Sequence, residues 1–335
     1  MMKKLNQEVL IQLKNVTKRF GEFYAVSDIN LEVKRGEIVG FLGPNGAGKS
    51  TTMKMIAYLL EPSEGEIWIR SNGDFQSLTR KNKDYLLDNL GFLIENPAFY
   101  GDLSPRTILT YFAKLKGYPK EKINQRIEEV LKFFHLEEWI DKKIKTFSKG
   151  MRQKIGVASA IIHDPDIIVL DEPQTGLDPK ARKEVRDFIL ALKQMGKTIF
   201  LSSHLLYEIS EVADRIAIIH LGKIIAFDTL DNLEAKTKKS IIDFELLNME
   251  DKNQKDLIEK IKNLVQPLTG IEKDLSWVKY NENTGVFQIF FDGNPLNQLK
   301  ILKVLIDNGF KVIEFSVPKA GLLEDLFIEL TKPEV

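Results

Sequence analysis

Gly43-Pro44-Asn45-Gly46-Ala47-Gly48-Lys49-Ser50 follows directly on a short apolar run, Glu37 to Leu42, and precedes a segment that reads as an amphipathic helix. The stretch fits G-x-x-x-x-G-K-[ST], in which glycines let consecutive backbone N–H groups turn inward around a phosphate. The helix opening near Lys49 would add the partial positive charge of its N-terminus. In that arrangement Lys49 reaches the β- and γ-phosphates, the Ser50 hydroxyl ligates Mg2+, and Thr51 contacts the α-phosphate. A dinucleotide fingerprint is disfavoured, because Gly46-Ala47-Gly48 runs into Lys49-Ser50 rather than the spacing of that motif. The fold class is therefore α/β, with a strand, a phosphate loop and a helix at its centre.

Ile167-Ile168-Val169-Leu170 is a second buried-strand pattern, and it ends in Asp171-Glu172-Pro173. A parallel strand delivers its C-terminal residues to the ligand crevice. Asp171 would hold Mg2+ there, and Glu172 would polarise the attacking water. Two carboxylates at a strand end are often merely solvated; the phosphate loop upstream tips the reading toward chemistry.

Phe147-Ser148-Lys149-Gly150-Met151-Arg152-Gln153 opens a helix running to about Ile162, with Ser148 a good N-cap. This segment resembles the L-S-G-G-Q signature of ATP-binding cassette (ABC) ATPases, although Phe147, Lys149 and Met151 depart from it. The resemblance implies that Ser148 and Gly150 contact the γ-phosphate of ATP held by an opposite subunit. It implies that Phe20, in Lys18-Arg19-Phe20-Gly21, stacks on adenine. Gly176-Leu177-Asp178 resembles the loop that crosses the dimer interface, and His204, after Thr198 to Ser203, matches the histidine that senses the γ-phosphate. Where the family usually has Gln after the strand Gly91 to Ile94, this chain has Glu95, which would ligate the metal yet repel the γ-phosphate unless neutralised. The stretch Leu93 to Tyr100 is similar to the ATPases of ABC-2-type exporters, the group that includes peptide-antibiotic resistance pumps. His135, His163 and His220 lack such a context and read as structural or surface residues.

The 335 residues suffice for a full core plus an appended unit. Lys+Arg and Asp+Glu both number 48, so bulk charge does not favour nucleic acid. With no cysteine, disulfides, thiolate zinc sites and thiol catalysis are all excluded. The N-terminal residues show no signal-peptide pattern, and no apolar run approaches a membrane span.

The expected organisation is an ABC nucleotide-binding domain over 1–232, a linker over 233–239 and a C-terminal accessory α+β domain over 240–335. Strands over about 9–35 would form an antiparallel β layer, with Ile29, Leu31 and Val33 on one face, against a mixed-sheet core. A helical subdomain would span about 103–162, beginning at Ser104-Pro105 with Ile108, Tyr111, Phe112 and Leu115 as its apolar stripe. In the tail, strand and helix periodicities alternate as β-α-β-β-α-β, the order of a ferredoxin-like sandwich, with a last helix over Leu322 to Leu330. Its blander role is stabilising or dimer-contacting, its sharper one ligand-sensing.

The function implied is that of an ATPase binding ATP and Mg2+ at the cytoplasmic face of a bacterial membrane, powering export. Its partners would be a second copy or a related subunit, together with separate integral-membrane permease subunits; no nucleic acid is expected. The alternative is a soluble, non-transport ABC ATPase acting on ribosomes or nucleic acid. The single cassette and the lack of sustained heptads weigh against it.

Overall fold

The computed structural model describes residues 8–95, 97–236, 240–247, 254–270, 278–281 and 284–317. Two compact units divide at Leu230/Asp231. In the first, β1 (Val9–Phe20) and β2 (Phe23–Lys34) form a hairpin, pairing Ile11 with Val33, Leu13 with Leu31 and Val16 with Ile29. These paired residues are all buried, a register irregularity between Leu13 and Val16 keeping both on the inner face. β4 (Glu64–Ser71) and β5 (Asp74–Ser77) extend the hairpin into an antiparallel sheet of order β2-β1-β4-β5.

The second sheet contains β3 (Ile38–Leu42), β6 (Leu90–Leu93), β7 (Ile167–Leu170), β8 (Thr198–Ser203), β9 (Arg215–His220) and β10 (Lys223–Thr229) in the order β10-β9-β3-β8-β7-β6. All neighbours are parallel except the β9–β10 hairpin. β3 and β7 are buried along their whole length, which explains their unbroken apolar runs. One apolar core joins both sheets to α1 (Lys49–Ile56): Ile29, Ile67 and Ile69 share it with Phe41, Val169, Phe200, Met53 and Ile56. Because β3, β7 and β8 lie side by side and parallel, the residues after them, Gly43, Asp171 and His204, emerge at the same sheet edge.

A short helix, α2 (Lys83–Leu87), precedes β6. The helical subdomain consists of α3 (Pro105–Leu115), α4 (Ile123–Phe133) and α5 (Lys149–Ile161), packed on one another. Ser104 caps α3 by accepting from the Thr107 amide, and Pro105 fills the first turn. The predicted stripe on α3 is corrected: Ile108 is buried, but Leu109 and Ala113 accompany it, while Tyr111 and Leu115 are exposed. The small Ala113 lets the helix approach its neighbours on a face one position away from that of the larger side chains. α6 (Pro179–Gln194) and α7 (Leu206–Ser210) follow β7 and β8.

The segment read as a linker, 233–239, begins as helix: α8 (Leu230–Lys236) covers its first residues, and 237–239 lie outside the described residues. Asp231 in the first turn complements the helix dipole, and Leu233 is buried. In the second unit, β11 (Ser240–Leu246), α9 (Gln254–Val265), β12 (Val278–Asn281), β13 (Val286–Phe291), α10 (Pro295–Asp307) and β14 (Val312–Ser316) occur in the predicted β-α-β-β-α-β order. Their antiparallel sheet, β12-β13-β11-β14, is the ferredoxin-like arrangement. Phe244, Phe287, Ile289, Ile261 and Ile301 form its own core. The expected helix over Leu322 to Leu330 lies outside the described residues.

Candidate functional site: a phosphate loop meeting a carboxylate and a histidine

β3 ends at Leu42 and the chain turns so tightly that a side chain has no room. A Cβ on Gly43 would stand 2.5 Å from the Ile219 carbonyl oxygen. On Gly48 it would stand 2.5 Å from the Ala25 carbonyl oxygen, at a φ of +109° that other residues avoid. Gly48 supplies no side-chain cap to α1, so the first-turn amides of this helix face outward without a protein acceptor. That uncapped terminus suits an anion. Lys49, 4 % exposed, folds back over the loop: Nζ donates to the Gly43 carbonyl at 2.7 Å and the Pro44 carbonyl at 3.1 Å, and lies 3.3 Å from Glu172 Oε1.

Asp171 is 3 % exposed, and its Oδ1 accepts from the Ser202 hydroxyl at 2.5 Å. The same hydroxyl accepts from the Glu172 amide at 3.0 Å, so one serine of β8 holds both residues that end β7. Glu172 has φ +47°, a strained value for a residue with a side chain and typical of functional sites. Its Oε2 accepts from the Thr175 hydroxyl at 2.8 Å and meets His204 Nδ1 at 3.1 Å. Burial pushes the Glu172 carboxyl up, but the Thr175 hydrogen bond and the nearby Lys49 and His204 outweigh it, and the group sits below its ordinary value. Lys49 and His204, remote in sequence, thus converge on the Glu172 carboxylate. Behind them Ser203 Oγ donates to buried Glu208 at 2.6 Å and accepts from the Leu205 amide at 3.0 Å, fixing the backbone on both sides of His204.

A cleft of about 290 Å³ runs from Phe20 and Phe23 at the tip of the β1–β2 hairpin, past Asn45, Gly46 and Gly48, to Lys49, Ser50, Thr51 and Glu172. Both hairpin aromatics are well exposed, as a stacking platform requires. Ser50 reaches this cleft, and Asp171 stands at the adjacent strand end. Mg2+ favours such sparse sites, with one or two protein oxygens completed by phosphate and water. Among the described residues no cluster of three or more metal-binding side chains occurs. Glu95, the third metal candidate, is 61 % exposed, forms no wall of the cleft, and pairs its carboxylate with Lys54 of α1.

Ser148 caps α5, its oxygen accepting from the Met151 amide at 3.2 Å, and Gly150 packs against Ala181 of α6. Asp178 caps α6 through the Ala181 amide at 3.0 Å. The structure groups these three at two adjoining helix starts but does not bring them to the cleft walls. Sequence reasoning missed Ser202, Thr175 and Phe23. A hydroxyl at a strand end carries no pattern; Phe23 had one signal, its mirror position to Phe20 across the Gly21-Glu22 turn.

The profile of the family described as "ABC transporter" matches residues 26–175. The bacitracin transport ATP-binding protein BcrA of Bacillus licheniformis is 34% identical over 322 residues, 96% of this chain and 97% of that protein. The ABC transporter ATP-binding protein NatA of Bacillus subtilis is 39% identical over 229 residues, 67% of this chain and 91% of its own length. Among solved structures, an ATP-binding subunit of an ABC transporter superposes with TM-score 0.61 at 32% identity, covering 68% of this chain and 92% of that one. A dimeric ATP-binding cassette in a post-hydrolysis state, bound to ADP and Pi, gives 0.59 at 28% identity over 66% of this chain and 98% of that one.

Proposed function

Because the chain belongs to the ATP-binding subunits of ABC transporters, which bind and hydrolyse ATP, we propose that one copy holds the nucleotide and a second copy completes the site. Adenine stacks on Phe20, and the Gly43–Gly48 amides cradle the phosphates with Lys49 and Thr51. Ser50 and Asp171 would hold Mg2+, while Glu95, paired with Lys54, stays outside the cleft wall. When bound there, Mg2+ would supply charge neutralisation for the phosphate oxygens. Lys49 turning to phosphate takes one counter-charge from Glu172, which becomes more basic and orients water. His204 is held toward the γ-phosphate by its bond to Glu172. Ser148, Gly150 and Asp178 of the second copy approach the γ-phosphate from the other side, so binding ATP closes the pair.

The observation that carries this reading is the convergence of Lys49, Glu172 and His204 beside the uncapped start of α1. Residues 1–232 form the nucleotide-binding domain, and 240–335 an accessory domain that stabilises or contacts the second subunit. Exposed Tyr100, Tyr111 and Leu115 offer an apolar surface to separate membrane permease subunits. No described helix is long and apolar enough to cross a membrane. The work is export at the cytoplasmic face, in keeping with a relative named for bacitracin transport and another, of Escherichia coli, for multidrug transport. A ribosome- or nucleic-acid-directed role has no support among these relatives. In the test, Glu172→Gln slows hydrolysis by roughly 10²–10⁴-fold and accumulates an ATP-dependent dimer on size exclusion. Normal turnover by that variant would refute the assignment.

A further inference from the structure

Glu95 places a full negative charge at the end of β6, where the resemblance leads one to expect a neutral amide. Glu95 forms no wall of the cleft, but an unpartnered carboxylate within a Debye length of a bound triphosphate opposes it through space unless a cation pairs with it. The structure contains that cation. Lys54 lies in the last turn of α1, one helical turn beyond Ser50 and so on the same face as the hydroxyl that enters the cleft. Its ammonium pairs with Glu95 Oε1, tying the phosphate-gripping helix to the end of β6. Glu95 is held at φ +63°, a backbone strain that contacts near a working site sustain. Exposed pairs of this kind add little to stability, so removing this one should leave the fold intact.

We propose that Lys54 is the positioning counter-charge of this site: it binds the Glu95 carboxylate against α1 and cancels its repulsion of the nucleotide. The proposal rests on the reading of the cleft as the ATP site. Removing Lys54 would leave Glu95 both free to move and electrostatically uncovered. Removing both groups would restore a neutral arrangement.

The test is the affinity of the full chain for a fluorescent ATP analogue in EDTA, where Glu95 acts through charge alone. Lys54→Met weakens binding by about five- to tenfold at low salt, and the defect shrinks as ionic strength rises. Glu95→Gln tightens binding by a similar factor, the double variant returns to within about twofold of the starting chain, and Lys54→Arg binds normally. Thermal midpoints stay together, as expected of an exposed pair. A double variant as weak as Lys54→Met alone would overturn the proposal, because Lys54 would then act on nucleotide or helix without Glu95. So would Glu95→Gln binding no tighter, which needs no Lys54 variant to fold. If Lys49→Ala binds as well as the starting chain, the ATP-site reading itself falls, and the proposal with it.

Discussion

Ser202→Ala removes one atom and should disturb both stability and catalysis. Ser202 is fully buried; its hydroxyl donates to Asp171 at 2.5 Å and accepts from the Glu172 amide at 3.0 Å. The first bond is charge-assisted, worth roughly 1.5–3 kcal/mol, and an orphaned amide costs roughly 1–3 kcal/mol. Glu172 is only half-buried and water can reach its amide, so the net loss should be about 2–4 kcal/mol. The cavity term is small because no methylene is deleted. In urea denaturation the midpoint falls while the slope is unchanged. In MgATP hydrolysis the rate falls about 10- to 100-fold, because the Asp171 carboxylate and the Glu172 backbone lose their common anchor and small misplacements near reacting atoms are costly. A variant within about 0.5 kcal/mol of the starting chain, turning over ATP at the same rate, would show that Ser202 does not hold the site.

Phe20→Ala removes the stacking face and should weaken ATP by about 5- to 100-fold, while inorganic tripolyphosphate, which lacks a base, binds unchanged in a competition assay. Gly48→Ala must place a Cβ against the Ala25 carbonyl at an unfavourable φ, so nucleotide binding is lost and the thermal midpoint drops; retention of both would refute the tight-turn argument. His163 is held neutral, its pKa lowered to about 4 by burial and then by Lys116, whose ammonium shares the Leu90 carbonyl with it. The unfolded chain takes up a proton below about pH 6.5 that the native chain refuses until about pH 4. Stability therefore falls as pH drops through that window, by at most about 3 kcal/mol. His163→Gln should flatten this acid loss, and identical urea midpoints against pH for both proteins would contradict it.

The phosphate loop was legible because its glycines answer a steric demand and its lysine an electrostatic one, and both leave a fixed spacing. Asp171 and Glu172 stood out through the four apolar residues before them, buried as expected. The strand order of the tail was likewise readable, since period-2 and helical patterns alternated cleanly. Other features depend on contacts that no local pattern encodes. Ser202 and Thr175 matter only because β7 and β8 lie side by side. Lys54 reads as an ordinary surface lysine until α1 is seen beside the end of β6. On α3 the periodicity was right but the face was offset: Leu109 and Ala113 join Ile108 inside, while Tyr111 and Leu115 face solvent. The polar tract after Leu230 reads as a connector because only Leu233 betrays the helix.

The separate apolar centres of the two units carry a thermodynamic consequence. Calorimetry on the intact chain should resolve two heat-absorption peaks, and a substitution at Phe287 should move one while sparing the other. On that outcome mutational damage would be compartmentalised, leaving the tail free to diversify without jeopardising the machinery that cleaves phosphoanhydride bonds.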